Sequence, residues 1–345
     1  MKPKEPNNII LVETLISTKP KLGFAGVGWI GRSRMQAAAE SGLADIVLIS
    51  DPSEDCVAAA CMLAPHAAAV ASFEEAVSNP DVEALVIATP SALHMEQAVA
   101  AFESGKAVFC QKPLGRTAEE VRAVVQAAQK ANKLLGADFS YRHTQAFKAI
   151  HAVIQSGELG NIFAVDLKFH NAYGPDKPWF YDLELSGGGC VLDLGIHLFD
   201  LMLYALDFPE VKTVNSSLYA KGASVKGKNV VEDYASVHLQ LEQDTDVQLS
   251  CSWNLQAGCE ALIEASFYGT QGGVSLKNLN GSFYDFVALR YWGTRSEVLA
   301  EPPDNWGGKA LVSWIEKLSV DPTYDASATE FIHSAQIIDR IYERT

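Results

Sequence analysis

The chain has no CxxC pair, and its six cysteines, Cys56, Cys61, Cys110, Cys190, Cys251 and Cys259, fall at no spacing that would hold zinc. A zinc ribbon and a disulfide-stapled scaffold are therefore not expected, no metal site is read, and free thiols of a reducing compartment remain. No long basic run relieves a net charge of -15, which argues against a nucleic-acid partner, since such a partner calls for a basic patch. Near the N-terminus the apolar stretch Ile9 to Val12 is too short for a signal or a membrane span, and neither a basic n-region nor a twin arginine accompanies it. A cytoplasmic protein without a membrane partner is expected.

What is present is ordinary for a globular protein, 48% hydrophobic and 20% charged residues, in a chain of 345 that exceeds what one core normally supports. Two domains follow as the default. The most informative stretch runs from Lys21 to Asp51. An apolar run, Leu22 to Val27, ends in Gly26-Val27-Gly28-Trp29-Ile30-Gly31, passes into a helix-forming segment, returns as Ile46 to Ile49 and stops at Asp51. Gly26 permits the tight turn, Gly28 lets the backbone approach a pyrophosphate, and Gly31 lets helix and strand pack closely. Asp51, about twenty residues on, stands where a carboxylate would accept hydrogen bonds from ribose hydroxyls. Its charge would repel the 2'-phosphate of NADP and no arginine follows it, so NAD is expected over NADP.

Helix and strand continue to alternate after Asp51: helix from Glu54, strand at Ala67 to Val70, helix from Phe73, strand Ala84 to Ala88. Thr89-Pro90-Ser91 breaks that strand, with Ser91 expected to cap the helix Leu93 to Glu103. Ala107 to Cys110 is another strand, Thr117 caps a helix to Ala131, and Leu134 to Ala137 closes the series. Such a succession builds a doubly wound parallel Rossmann sheet, which binds ligands at the carboxyl ends of its strands. From about residue 160 the alternation is of residues instead. Phe163, Val165, Leu167 and Phe169 share one face, as do Val237, Leu239 and Leu241, and Val247, Leu249, Cys251 and Trp253. Strands with one buried and one wet face indicate an antiparallel sheet, interrupted by a helix at Cys190 to Leu206 and followed by helices near Ala310 to Leu318 and Ser327 to Tyr342. The expected division is an N-terminal extension (1–20), a Rossmann domain (21–140) and an α+β domain for substrate and oligomer contacts (141–345), whose last helices are free to pack back on the first domain. Overall this is an α/β fold.

Three clusters sit where a substrate could meet a nicotinamide. Gln111-Lys112-Pro113 leaves the end of a Rossmann strand, which aims Lys112 into the ligand crevice, and Gln111 and Lys112 are both expected to contact the cofactor, the amide through a ribose hydroxyl. After the triple glycine Gly187 to Gly189, Asp193 and His197 lie four apart on a helix, so the carboxylate can orient the imidazole, and the imidazole can then take a hydroxyl proton. Asp200 is a rival partner for that ring. The third cluster is Thr89, Pro90 and His94, with His94 either a cofactor contact or a structural cap.

GVGWIG with Asp51, ATPSALH, CQKPL, SYRH at Ser140 to His143, SGELGNI at Ser156 to Ile162, and GGGCVLDLGIH occur in this order and resemble the glucose-fructose oxidoreductase and inositol dehydrogenase (Gfo/Idh/MocA) family over residues 21 to about 210. The resemblance implies a Rossmann domain joined to an open, predominantly antiparallel sheet, and hydride transfer to or from a sugar, polyol or cyclitol secondary alcohol. It matches Lys112, Asp193 and His197 to the family's catalytic trio, and Tyr141 and Arg142 to its site-lining segment. Most members carry Glu where this chain has Gln111, and Asn is common where Ser91 stands. Family members commonly pair through the open sheet, whose wet face here carries Ser236, His238, Gln240, Gln248, Ser250, Ser252 and Asn254, so a homodimer or homotetramer is expected. An NAD-dependent dehydrogenase leads, with His197 as base, Asp193 holding its tautomer and Lys112 on the reacting oxygen. A dinucleotide-binding sensor without turnover and an NAD-dependent glycoside hydrolase are the rivals. The intact lysine and Asp-x-x-x-His argue against the sensor.

Overall fold

The computed structural model describes residues 19–225 and 228–344; nearly all of the expected N-terminal extension lies outside them. Strands β1 (Lys21–Ala25), β2 (Asp45–Ser50), β3 (Ala68–Val70), β4 (Ala84–Ile87), β5 (Ala107–Cys110) and β6 (Leu135–Ala137) form one sheet in the order β3-β2-β1-β4-β5-β6. Every pairing is parallel. All four residues of β4 and of β5 are buried, the near-continuous apolar pattern of strands covered on both faces. The covering helices are α1 (Trp29–Ser41), α2 (Glu54–Cys61), α3 (Phe73–Ser78), α4 (Ser91–Glu103) and α5 (Ala118–Ala131). Thr117 caps α5 through the Glu120 N–H, as expected. Ser91 instead is the first residue of α4, behind Pro90, and makes no cap hydrogen bond. Strand order reverses between β1 and β4, which opens a crevice at their carboxyl ends.

The second sheet has nine strands: β7 (Ile162–Asn171), β8 (Val211–Ala220), β9 (Ala223–Ser224), β10 (Tyr234–Leu241), β11 (Asp246–Ser252), β12 (Ala261–Gly269), β13 (Gly273–Asn278), β14 (Phe286–Trp292) and β15 (Arg295–Ala300). Their order is β15-β14-β13-β12-β7-β11-β10-β8-β9, antiparallel except for the β11–β7 pair. One face is covered by α6 (Gln145–Gln155) and α8 (Ile196–Ala205), while the short α7 (Leu183–Ser186) lies against α4. Val165, Leu167, Phe169, Val237, Leu239, Val247 and Leu249 share a core with Leu198, Phe199, Leu201 and Met202 of α8. Leu183–Ala205 is long and apolar enough to cross a bilayer, but 89% of its most apolar window is buried in this core.

The two-residue alternation departs at Phe163, Ser252 and His170, the last buried on the face expected to be wet. Phe163, at the edge of the pattern, is 54% exposed. Ser252 is buried on the supposedly wet face, because His170 Nδ1 meets its hydroxyl at 2.9 Å while Nε2 meets Ser250 Oγ at 3.0 Å. Ser236, His238, Gln240 and Gln248 are exposed. Helices α9 (Lys309–Val320) and α10 (Phe331–Ile341) return to the first sheet: Trp314 packs 5.7 Å from the Phe109 ring, and Asp339 accepts the Ala118 N–H.

Candidate active site

The crevice begins at the glycine turn. Gly26 has φ +83°, and a Cβ there would meet the Ala88 carbonyl oxygen at 2.5 Å; at Gly31 it would meet the Gly26 carbonyl oxygen at 2.1 Å. Gly28, which precedes α1, has open space, caps the helix with no side chain, and is followed by no acidic residue in the first turn. The free N–H groups and the helix dipole are left for an anion. Trp29 is 69% exposed at that helix start, beside Ile30. Asp51 directly follows β2, with Oδ2 accepting the Val27 N–H at 2.8 Å and Oδ1 the Ser53 N–H at 2.9 Å. It fixes the turn, and its half-exposed carboxylate keeps lone pairs for ribose hydroxyls. These residues fit a dinucleotide.

Between the ends of β4 and β5 lies His94. Its ring is buried between the Thr89 and Pro113 carbonyls, 2.7 Å from each. Burial lowers its pKa despite those carbonyls, so the neutral ring donates to one and rests against the other. The ring thereby joins two strand-end loops, which favours the structural one of its two readings over the cofactor contact. Thr89 Oγ1 donates to Gln97 Oε1 at 2.6 Å, and Pro90 is exposed at the crevice rim.

Lys112 is aimed as expected, but its partner is Asp193: Nζ is 2.8 Å from Oδ1 and 2.7 Å from the main-chain carbonyl. Trp253 Nε1 donates to the other carboxylate oxygen at 3.1 Å. The expected Asp193–His197 hydrogen bond does not form. Val191–Gly195 is a turn of π-helix in which the Ile196 N–H reaches the Val191 carbonyl, five residues back. The wider turn rotates Asp193 away from the i, i+4 relation that an α-helix would give. Asp200 does not take its place, since Arg142 holds it with Nη2 2.6 Å from Oδ1 and Nε 2.8 Å from Oδ2. The Nδ1 atom of His197 is buried and has no hydrogen-bond partner among the described residues. Tyr141 packs edge-on against the ring, centroids 4.8 Å apart. Burial, then the charges of Lys112 and Arg34, hold the His197 pKa well below its usual value, which keeps the imidazole neutral.

Arg142 is a second correction. Its guanidinium fork is spent on Asp200, with Glu330 at 3.4 Å and the Tyr204 ring 4.3 Å beneath it, so it braces the fold and is not a substrate contact. Gln111 is buried and donates to Asp138 Oδ2, a carboxylate that also holds Arg34 Nε at 2.5 Å and the Ser140 hydroxyl at 2.5 Å.

Residues far away in sequence complete the frame. Glu232 is buried and accepts the Gly189 and Val191 N–H groups at 3.1 and 3.0 Å and the Tyr342 hydroxyl at 2.7 Å. A Cβ on Gly188 would strike Tyr342 Oη at 2.4 Å, and one on Gly189 the Glu232 carbonyl oxygen at 1.9 Å. The triple glycine thus admits the protein's own C-terminal segment. No sequence spacing signals Glu232, Trp253 or Tyr342.

Such a fold and crevice are those of a dinucleotide-binding Rossmann protein with an attached sheet domain. The first half matches the oxidoreductase family with an NAD-binding Rossmann fold over residues 21–139, and the second the GFO/IDH/MocA C-terminal domain over residues 147–275. The chain belongs to the Gfo/Idh/MocA family. It is similar to the 1,5-anhydro-D-fructose reductase of Ensifer adhaerens, 32% identical over 61% of this chain and 62% of the relative, just under two thirds of that protein's length. It is also similar to the D-glucoside 3-dehydrogenase of Escherichia coli (strain K12), 26% identical over 77% of each chain. Among solved structures, the aldose-aldose oxidoreductase of Caulobacter crescentus superposes with TM-score 0.81 at 18% identity, covering 95% of this chain and 97% of that one.

Proposed function

We propose that the protein transfers a hydride between a secondary alcohol of a sugar, polyol or cyclitol and NAD, with residues 21–140 holding the dinucleotide and residues 141–345 the substrate. Bound nicotinamide supplies the hydride acceptor. The observation that carries the reading is the donor count at Lys112: an ammonium has three N–H bonds, Asp193 takes two, and the third is left for the reacting oxygen. Neutral His197 is suited to accept the hydroxyl proton. Asp193, backed by Trp253, orients Lys112 in this scheme and not the imidazole. The relatives' names, an anhydrofructose reductase and a glucoside dehydrogenase, support a carbohydrate substrate. Six unpaired cysteines suit a cytoplasmic setting, and the polar exposed face of the second sheet suits a homodimer or homotetramer.

A panel of sugars and polyols with NAD and NADP, read by nicotinamide absorbance and product analysis, tests the proposal. Reduction of NAD with one of them, giving a ketone product, is expected. No absorbance change with any compound would overturn it, and sugar turnover without net cofactor change would point to the hydrolase.

A further inference from the structure

Three large aromatic side chains near the site remain half exposed: Tyr173 and Tyr181 at 51% and Tyr284 at 55%. Singly exposed aromatics are common on protein surfaces, but Tyr181 and Tyr284 are tied to the reacting groups by ring contacts, and Tyr173 is held beside them. Tyr181 lies edge-on to Trp253 at 5.6 Å, and Trp253 holds Asp193. On the other side Tyr284 lies 6.3 Å from Trp306, which lies 5.0 Å from Tyr141, the ring against His197. Tyr173 packs 6.1 Å from Phe283, the neighbour of Tyr284. The loop bearing Tyr173 is fastened to this arrangement, because the Tyr181 hydroxyl donates to the Pro175 carbonyl at 3.0 Å and the Gly174 N–H to Asn254 Oδ1 at 3.0 Å.

The result is two aromatic layers. Buried Trp253, Trp306 and Tyr141 stand next to the chemistry, and the exposed tyrosines stand at least one ring further out. A pyranose is about as wide as one aromatic ring, so a sugar presenting its hydroxyl to Lys112 and His197 meets the inner layer and leaves the outer one for whatever the sugar carries. The charges that act on Tyr173 and Tyr181 are carboxylates: Glu260 on the first, and Asp193, Asp176 and Asp233 on the second. Lys177, beside them in sequence, is paired with Asp176 at 3.2 Å. Asp193 and Asp176 are each paired with a lysine, Lys112 and Lys177, so the carboxylates of Glu260 and Asp233 set the sign of this rim, which disfavours phosphate and favours a neutral group with an apolar face.

We propose that Tyr173, Tyr181 and Tyr284 form an outer subsite for the uncharged aglycone of a glycoside, making a substituted sugar the preferred substrate over a free sugar or a sugar phosphate. This rests on the carbohydrate reading above. Calorimetric titration of the NADH-loaded full chain is the test, with glucose, galactose and mannose, their phenyl glycosides and their 6-phosphates as probes. At least one phenyl glycoside should bind about tenfold more tightly than its parent sugar, the scale of one or two aromatic pairs, and no 6-phosphate should bind more tightly than its parent. Y181A/Y284A should erase that advantage and leave the parent sugar's affinity in place, whereas Y181F should keep it. Equal binding of every glycoside and its parent, tighter binding of a phosphate, or an undiminished advantage in the double alanine variant would overturn the subsite. Failure of the hydride-transfer reading is seen separately, as an unchanged nicotinamide absorbance, and leaves the binding comparison intact.

Discussion

Lys112 Nζ stands 2.8 Å from Asp193 Oδ1, bridging the end of a Rossmann strand and a π-turn 81 residues further along the chain. Each side chain is only 18% exposed. The pair joins the two sheets at the point where substrate would react, so it serves positioning as much as charge.

Lys112→Ala removes the donor to the reacting oxygen, and Asp193→Asn keeps the shape while loosening the lysine. Both should lower turnover by about two to four orders of magnitude and leave NAD affinity nearly intact. Because they act as a unit, the double variant should lose little more than the worse single one. Steady-state rates and cofactor titrations decide, and wild-type-like turnover in either single variant would remove it from the mechanism.

For His197 the expected signature is a pH profile. Burial depresses its pKa below 6.5, so the neutral, proton-accepting form persists to lower pH than in a free histidine. Alcohol oxidation should therefore stay level as pH falls through 6.5 and decline only below it, and His197→Ala should lose the activity carried by that limb. The same sign governs stability: a histidine neutral in the fold and protonated when unfolded contributes stability above the unfolded pKa, which is lost as pH falls below it. His94, His143, His151, His170 and His333 are also depressed, His143 to about 4. Buried Asp200 and Glu232, with raised values, oppose the trend at lower pH. Melting temperature should drop between pH 7 and pH 5.5, and a flat or rising melt there would contradict it.

Gln111 contacts Asp138 in a buried network with Arg34 and Ser140, which gives the departure from the family's Glu a physical account. Gln111→Glu would face two carboxylates toward each other away from water. A loss of about 3 kcal/mol, the scale of an uncompensated buried charge, is expected in denaturant unfolding. Adding Asp138→Asn should recover much of it, since Arg34 then pairs with the new carboxylate. If Gln111→Glu is as stable as the parent, the contact does not govern that position.

The Rossmann half was legible because its signals are local: glycines at a turn, a carboxylate at a strand end, apolar runs separated by caps. Lys112 was legible for the same reason, being aimed by the strand it leaves. The Asp193–His197 pairing misled because four-residue spacing implies contact only on an α-helix, and one wider turn breaks the rule. Arg142 is a site residue by resemblance alone and His94 a candidate by its place at a helix start, yet the Asp200 carboxylate and two loop carbonyls claim them. Trp253, Glu232 and Tyr342 flank two strands and a helix, β11, β10 and α10, that only the folded chain brings to the site, so no spacing could announce them.

Asp51 meets the Val27 and Ser53 N–H groups, which fixes its charge where an adenosine ribose would lie. NAD should be used with higher kcat/KM than NADP, and Asp51→Ser should narrow the gap by removing the repulsion while weakening the turn. Comparing the two cofactors in both proteins reads this directly, and a parent enzyme that prefers NADP would refute it.

The exposed face of the nine-stranded sheet offers the last test. Ser250 and Ser252 are poor probes, because His170 engages both hydroxyls and Ser252 is buried; lysines there would disrupt the sheet itself. Ser236 and Gln248 are exposed on adjacent strands, Ser236 opposite Ser250 and Gln248 opposite His238. If subunits meet through this face across a two-fold axis, light scattering of the parent should give a multiple of 37.3 kDa. S236K/Q248K should then reduce that mass, since like charges would face one another at short range, with melting temperature unchanged apart from the lost subunit contacts. A parent of 37.3 kDa would end the proposal, and an oligomer indifferent to the two lysines would place the subunit contact elsewhere.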